Sequence, residues 1–390
     1  MTILLLSQVF PPGPGGSGRW LWELYRRLPN IQVHVAAGKG HGPAVTSAFD
    51  QASTLPIDRL PLSLANWGLW HPRSSLQYAR ALVDLGRMVA RIRPDVIHCG
   101  KCLPEGLLAA MIERVAGTPF VCYVHGEELS LARTSRELRR LSWKTLHRAR
   151  RVVANSQHTR SLLLADWQVP ADRIDVMTPG VDTSTFVPGE PDVAWRRRQG
   201  WDGRRVVLTV GALQKRKGQD MMIRALPAIR ARCPDVLYAV AGDGWERPYL
   251  DGLVREHGVD DLVQFLGIPA DADLIACYQQ CDLFALPNRQ VGWDFEGFGI
   301  VLIEAQACGR AVIAGASGGT AETLRPGMTG ELVPCDTPDH LATAVADLLD
   351  DGERRARMGS AGRPWTVEHF DWSVLTAQAE TLFRGTLTRR

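Results

Sequence analysis

The stretch from Asp282 to Ala314 restricts the possible folds of this chain more than any other. An apolar run, Asp282-Leu-Phe-Ala-Leu-Pro287, leads into a polar loop that holds Trp293 and Asp294. After it come Glu296-Gly-Phe-Gly-Ile-Val-Leu-Ile-Glu304-Ala-Gln-Ala-Cys-Gly309 and a second apolar run, Ala311-Val-Ile-Ala314. Short apolar runs on both sides of a helical stretch predict strand, loop, helix and strand, one turn of an α/β unit. Gly297 and Gly299 let the backbone approach a ligand where the helix begins. The helix start then presents unpaired N–H groups and the positive end of its dipole. Glu296 precedes the helix and Glu304 sits on it among apolar neighbours. A helix start favours an anion and carboxylates favour hydroxyls; a phosphate with sugars on both sides, as in a nucleotide-sugar, satisfies both. The plainer alternative is a first-turn glutamate that complements the dipole and a Gly-x-Gly that is only a turn.

The same alternation runs through the rest of the chain. In the first half it predicts strands at Ile3–Ser7, Gln32–Ala36, Val96–His98, Phe120–Val124, Arg151–Ser156 (with a polar end) and Ile174–Met177, with helical stretches such as 19–28, 75–91 and 105–116 between them. This is an α/β chain with a doubly wound parallel sheet. Gly13-Pro-Gly-Gly-Ser-Gly18 matches the GxGxxG of a dinucleotide site. Against that reading, the Pro11-Pro-Gly-Pro14 approach lengthens the turn, and the second strand ends in Ala37-Gly38-Lys39, where a ribose-binding acid belongs. His125 lies just past a strand end, where open α/β sheets place ligands. Residues 187–204 are polar and read as a linker. Strand Arg205–Gly211 opens a second α/β half, and Gly211-Ala-Leu-Gln-Lys-Arg-Lys-Gly218 is a basic loop suited to neutralising a diphosphate. It is not a Walker A loop. Ser317-Gly-Gly-Thr-Ala-Glu322 reads as a glycine turn into a helix, and 338–349 and 370–387 as amphipathic helices.

At 390 residues, 45% of them apolar and 22% charged, the chain can bury two cores. No apolar run nears the ~20 residues that span a bilayer. Met1-Thr-Ile-Leu-Leu-Leu reads as a strand rather than a signal peptide, which makes a cytoplasmic location the expectation. The eight cysteines are scattered, and Cys99-Gly-Lys-Cys102 lacks a second pair to complete a zinc site. Between Arg133 and Arg151 eight basic residues alternate with Leu138, Leu141, Trp143 and Leu146. That pattern makes either a solvated helix face or a surface for anionic lipid, to which Trp67 and Trp70 could belong; the tryptophans could equally line an acceptor pocket. No nucleic-acid-binding motif is present. A sugar receptor of two closing domains is the non-enzymatic alternative, and the basic loops argue against it.

EGFGIVLIEAQACG at 296–309, followed by Gly318-Gly-Thr-Ala-Glu-Thr-Leu324, resembles the signature of retaining GT-B glycosyltransferases of family four. The likeness is greatest to the phosphatidylinositol mannosyltransferases, which share a PNR-type loop, here Pro287-Asn-Arg289, and an EAQACG helix. It implies two Rossmann-like parallel-sheet domains facing a deep cleft. Residues 1–187 would bind the acceptor, 188–370 the nucleotide-sugar, and 371–390 would form a helix crossing back to the first domain. The Val124-His-Gly126 turn makes His125 the contact to the reacting sugar, and Gly15 and Gly16 approach the donor phosphate. Lys217 grips the diphosphate, and the backbone at Ile268 reads the base. Gly297, Phe298, Gly299 and Ile300 bring amides to the phosphates. Glu296 anchors the sugar hydroxyls and Glu304 the ribose diol; as catalytic groups the resemblance singles out His125, Glu296 and Lys217. Relatives carry an Arg after the first Gly of the basic loop, where this chain has Ala212, so Arg216 and Lys215 are the alternatives for a second cation. The implied reaction is metal-independent hexosyl transfer without a cofactor, from GDP-mannose ahead of UDP-glucose or UDP-N-acetylglucosamine. Its acceptor is a hydroxyl on a lipid-linked molecule or other glycan, reached from the membrane's inner face. A phosphorylase or sugar-phosphate synthase of the same fold differs in its acceptor.

Overall fold

Strand β1 (Thr2–Ser7) shows how the sequence builds its layers: Leu4 and Leu6 enter one apolar core, and Ile3 and Leu5 enter another on the opposite face. Both faces of such a strand are buried, so it reads as a continuous apolar run. The computed structural model describes residues 1–390 except 14, 41, 63, 65, 66, 389 and 390, and the side chains of 387 and 388 also lie outside it. Pro14 of the glycine loop and Ala65-Asn66 ahead of Trp67 are thus not described. The chain divides into two units, Met1–Pro179 with Trp372–Arg390, and Gly180–Asp371.

In the first unit, β1 is followed by α1 (Gly16–Tyr25), β2 (Gln32–Gly38), α2 (Pro43–Ala52), β3 (Ile57–Leu60), α3 (Pro72–Ile92) and β4 (Val96–Cys99). Then come α4 (Leu107–Ala116), β5 (Phe120–Val124), α5 (Glu127–Ala132), α6 (Arg136–Arg148), β6 (Arg151–Ala154), α7 (Gln157–Ala165) and β7 (Ile174–Val176). The sheet is parallel in the order β3-β2-β1-β4-β5-β6-β7, so strand order reverses between β1 and β4. The α2–β3 pair had no clear signature: α2 buries no residue and β3 is only half-buried.

The second unit runs through α8 (Val193–Arg198), β8 (Arg205–Val210), α9 (Gln219–Arg232), β9 (Val236–Ala241), α10 (Arg247–Glu256), β10 (Val263–Gly267) and α11 (Asp271–Gln280). It continues with β11 (Leu283–Leu286), α12 (Ile300–Ala307), β12 (Val312–Gly315), β13 (Gly330–Val333), α13 (Pro338–Asp350) and α14 (Gly352–Phe370). Its parallel order β10-β9-β8-β11-β12-β13 reverses between β8 and β11. Residues 180–187, expected to end the first domain, belong to this unit. Part of the polar linker is structured too: Trp195 on α8 meets Trp201 edge-on at 5.0 Å, and both are buried in this unit's core. After Asp371 the chain returns to the first unit as α15 (Trp372–Thr388), which buries Trp372, Leu375, Ala379 and Phe383 in the core holding Tyr25 and Ile3. The expected helix over 370–387 is thus α15, separated at Asp371 from α14, which ends at Phe370.

Candidate active site

The second unit places a cluster of charged residues, Arg216, Lys217, Asp294 and Glu296, on the loops after β8 and β11 at the reversal point, where open α/β sheets bind ligands. The loop leaving β8 turns through a short helical segment, Lys215–Lys217, and ends at Gly218, whose φ is 77°. A Cβ at Gly218 would lie 1.8 Å from the carbonyl oxygen of Pro287, so only glycine lets the loop press on the exit of β11. Two more links join these loops. The amide of Arg289 donates to the carbonyl of Arg216 at 2.9 Å, and the Arg289 guanidinium grips Asp220 in the first turn of α9 with two bonds of 2.8 Å. A two-pronged Arg–carboxylate pair fixes geometry as well as charge.

Lys217 Nζ and Arg216 Nη1 are thereby brought to one atom, Glu296 Oε2, at 2.5 and 2.7 Å. Arg216 Nε also lies 3.3 Å from Asp294. Glu296 is 8% exposed. Burial alone would raise its pKa, but Lys217 and Arg216 outweigh that and hold it below the usual carboxylate value. The Glu296 carbonyl accepts the Gly319 amide at 2.9 Å, and a Cβ on Gly318 would sit 2.0 Å from the same oxygen. This close approach makes Gly318–Glu322 a tight 3₁₀ turn rather than the expected helix start. Gly299, at φ 92°, opens α12, whose first amides have no side-chain cap and no acid in the first turn. An anion at that end is favoured by both amides and dipole.

Of the expected donor residues, Arg216, Lys217, Glu296 and the start of α12 converge. Arg216, not Lys215, shares the carboxylate; Lys215 lies over the Tyr249 ring at 5.7 Å. Phe298 is turned into the core against Phe370, so only its backbone is available. Glu304 is buried and its Oε2 accepts the Tyr278 hydroxyl at 2.7 Å. Ile268 follows β10 and is 77% exposed. The Arg289–Asp220 clamp was missed, because nothing in one dimension links residues 69 positions apart. Among the described residues no three metal-ligating side chains come together.

The first unit carries Gly15, Gly16 and His125. His125 Nε2 lies 2.7 Å from the Gly100 carbonyl, which can only accept, so Nε2 holds the proton and Nδ1 is the ring's acceptor. Burial lowers the His125 pKa and favours this neutral form. Its amide donates to Glu128 at 2.8 Å and its carbonyl accepts Asn155 Nδ2 at 3.0 Å. Trp20, on the helix that Gly15 and Gly16 open, packs edge-on against the imidazole at 5.2 Å. On α6, Arg136, Arg139, Arg140, Trp143 and Lys144 are exposed at helical spacing. Trp70 is exposed and tied to that helix by its amide, 2.8 Å from Glu137, whereas Trp67 is partly buried with Lys101 over its ring at 5.7 Å. The two tryptophans thus serve different surroundings.

Residues 14–185 match the family described as Glycosyltransferase Family 4, and residues 193–365 that described as Glycosyl transferases group 1. The chain is 35% identical, over 98% of both chains, to the GDP-mannose-dependent alpha-(1-6)-phosphatidylinositol monomannoside mannosyltransferase of Mycolicibacterium smegmatis. It is 34% identical to a D-inositol 3-phosphate glycosyltransferase of Corynebacterium aurimucosum, over 61% of this chain and 57% of that one. Among solved structures, HepE of Anabaena in complex with UDP-glucose is similar with a TM-score of 0.82 and 25% identity, covering 98% of this chain and 100% of that one. Sucrose-phosphate synthase from Thermosynechococcus elongatus, at 22% identity and a TM-score of 0.81 over 99% of each chain, shares the fold.

Proposed function

This chain belongs to glycosyltransferase family 4, with the GT-B architecture, and from that premise we propose that it moves mannose from GDP-mannose, with retention, to a hydroxyl of a lipid-linked acceptor. The observation that carries the proposal is the meeting of Lys217, Arg216 and Glu296 beside the uncapped start of α12. A diphosphate leaving group gains negative charge as its bond to the sugar breaks. Two cations and preset amides stabilise that charge without reorganising. Glu296, kept ionised, accepts hydrogen bonds from the sugar hydroxyls, and Glu304 takes the ribose diol. Neutral His125 offers Nδ1 as an acceptor toward the sugar.

In the proposed front-face step, the bond from the sugar's anomeric carbon to the diphosphate oxygen breaks. The acceptor oxygen bonds to that carbon on the same face, and its proton passes to the departing phosphate. The chain then has no need of a protein nucleophile or metal ion. Nearly full-length likeness to mannosyltransferases named as GDP-mannose-dependent supports this donor. The likeness to HepE, solved with UDP-glucose, favours a UDP-sugar as the second reading. No described helix is long and apolar enough to cross a membrane. The cationic face of α6 around Trp143 would bring the protein to an anionic bilayer holding the acceptor, from the cytoplasmic side. Incubation with radiolabelled GDP-mannose and phosphatidylinositol monomannoside vesicles tests the whole reading. Label should enter the lipid with the α-linkage kept; label transferred only from UDP-glucose would replace the donor.

A further inference from the structure

Resting on that transferase reading, we propose that Glu105 is a positioning residue for the reaction, holding through Gln8 the loop that leaves β1 and opens α1. The loop, described at Gln8 to Gly13 and at Gly15, leaves β1 beside β4, the reversal point of the first sheet, where a parallel sheet of this kind takes ligands. It delivers the start of α1, where Gly15 and Gly16 are exposed and no side chain caps the amides. The loop is fitted closely to its neighbours. A Cβ on Gly38 would lie 2.2 Å from the Gln8 carbonyl oxygen, and one on Gly18 2.6 Å from that of Val9. Two side chains from distant elements grip it. Glu105 Oε1 accepts the Gln8 amide at 2.8 Å, and Arg59, itself paired with Asp50 at 2.6 Å, donates to the Pro11 carbonyl at 2.6 Å.

Glu105 is fully buried, and its Oε2 has no hydrogen-bond partner among the described residues. A purely structural anchor here needs only a neutral acceptor, and an ionisable group with one unmatched oxygen is costly to bury. Facing it are Lys101, Glu128, Tyr78 and the thiols of Cys99, Cys102 and Cys122. Burial lifts the thiols and the phenol, so they stay neutral around pH 7, and Lys101 keeps its charge beside Glu127 at 3.3 Å. Burial, helped by Glu128, likewise raises Glu105 to about 7, against the pull of the Gln8 amide, its own amide and Lys101. An ionised carboxylate accepts the Gln8 amide more strongly than a protonated one, so the anchor tightens as pH rises through neutrality.

The test uses the full chain labelled with 15N-glutamine, in wild type and Glu105→Gln, together with GDP-mannose turnover from pH 5.5 to 8.5. The Gln8 amide shift should titrate near pH 7 in the wild type and stay flat in the variant. The kcat/KM of the wild type should rise about tenfold through the same range, while Glu105→Gln stays at the acid-limb level throughout. A Gln8 amide that does not move with pH overturns the proposal, and so do superimposable pH profiles. Absence of turnover in the wild type would count against the functional reading instead, and the amide titration, which needs neither turnover nor the variant, would still decide on Glu105.

Discussion

Each sheet sets a glutamate just past the strand at which its order reverses, Glu105 after β4 and Glu296 after β11, and both side chains are withdrawn from water. Their surroundings differ. Glu296 meets two cations on one oxygen and is held ionised, whereas Glu105 meets backbone amides, that of Gln8 and its own, and, more remotely, Lys101, and is raised by burial to about 7. Burial pushes both the same way, so the contrast shows the number and closeness of cations deciding the charge. Under the proposed function, the second unit's cluster is one that must stay ready for an anion. The first holds a group poised between two states.

The largest effect that would break this contrast is at Glu296. Glu296→Ala should lower kcat by about 10²–10³-fold while GDP affinity changes little, because the proposed role of Glu296 is to contact the transferring sugar. Equal losses in binding and turnover would mean that Glu296 serves the nucleotide instead. Glu105 sharpens the contrast through stability. Its folded pKa lies above its unfolded one, so the folded state binds more protons between pH 4.5 and 7, and stability falls as pH climbs through that window. Chemical denaturation at pH 5 and pH 8 should show a decline in the wild type larger by about 2 to 2.5 kcal/mol than in Glu105→Gln. An identical pH dependence would mean that Glu105 is ionised throughout, like Glu296. Glu296 contributes with the opposite sign: its stabilisation is present above the usual glutamate range and is lost as pH falls through its lowered pKa.

Smaller changes probe the supports. Glu304→Ala should weaken GDP binding by about 1.5–3 kcal/mol, or roughly 10- to 150-fold in Kd by calorimetry, with kcat at saturating donor nearly kept. Arg289→Lys keeps the charge but loses the fork on Asp220. It should raise the KM for donor by about 5-fold through a looser Lys217 loop, and unchanged kinetics would show that the clamp is dispensable.

What could be read in one dimension was the alternation of strand and helix and the glycine turns at strand ends, because both follow from local periodicity and backbone freedom. Glu296 and Lys217 were singled out separately; that they form an ion pair depends on the neighbouring positions of β8 and β11, which periodicity does not encode. Glu105 was invisible for a related reason: in the sequence it only begins an apolar helix, and its burial follows from the neighbours that close over it. The polar segment 187–204 hid two buried tryptophans, since composition averages over residues that the fold treats differently.

The central claim is that Lys217, Arg216 and the start of α12 hold the diphosphate of a nucleotide-sugar, and thermal unfolding with GDP, UDP, ADP and TDP tests it most directly. GDP at ~100 times its dissociation constant should stabilise the protein by roughly 2.7 kcal/mol, more than the other nucleotides, and Lys217→Ala should abolish the shift. No stabilisation by any of the four, or a shift that survives Lys217→Ala undiminished, would contradict it.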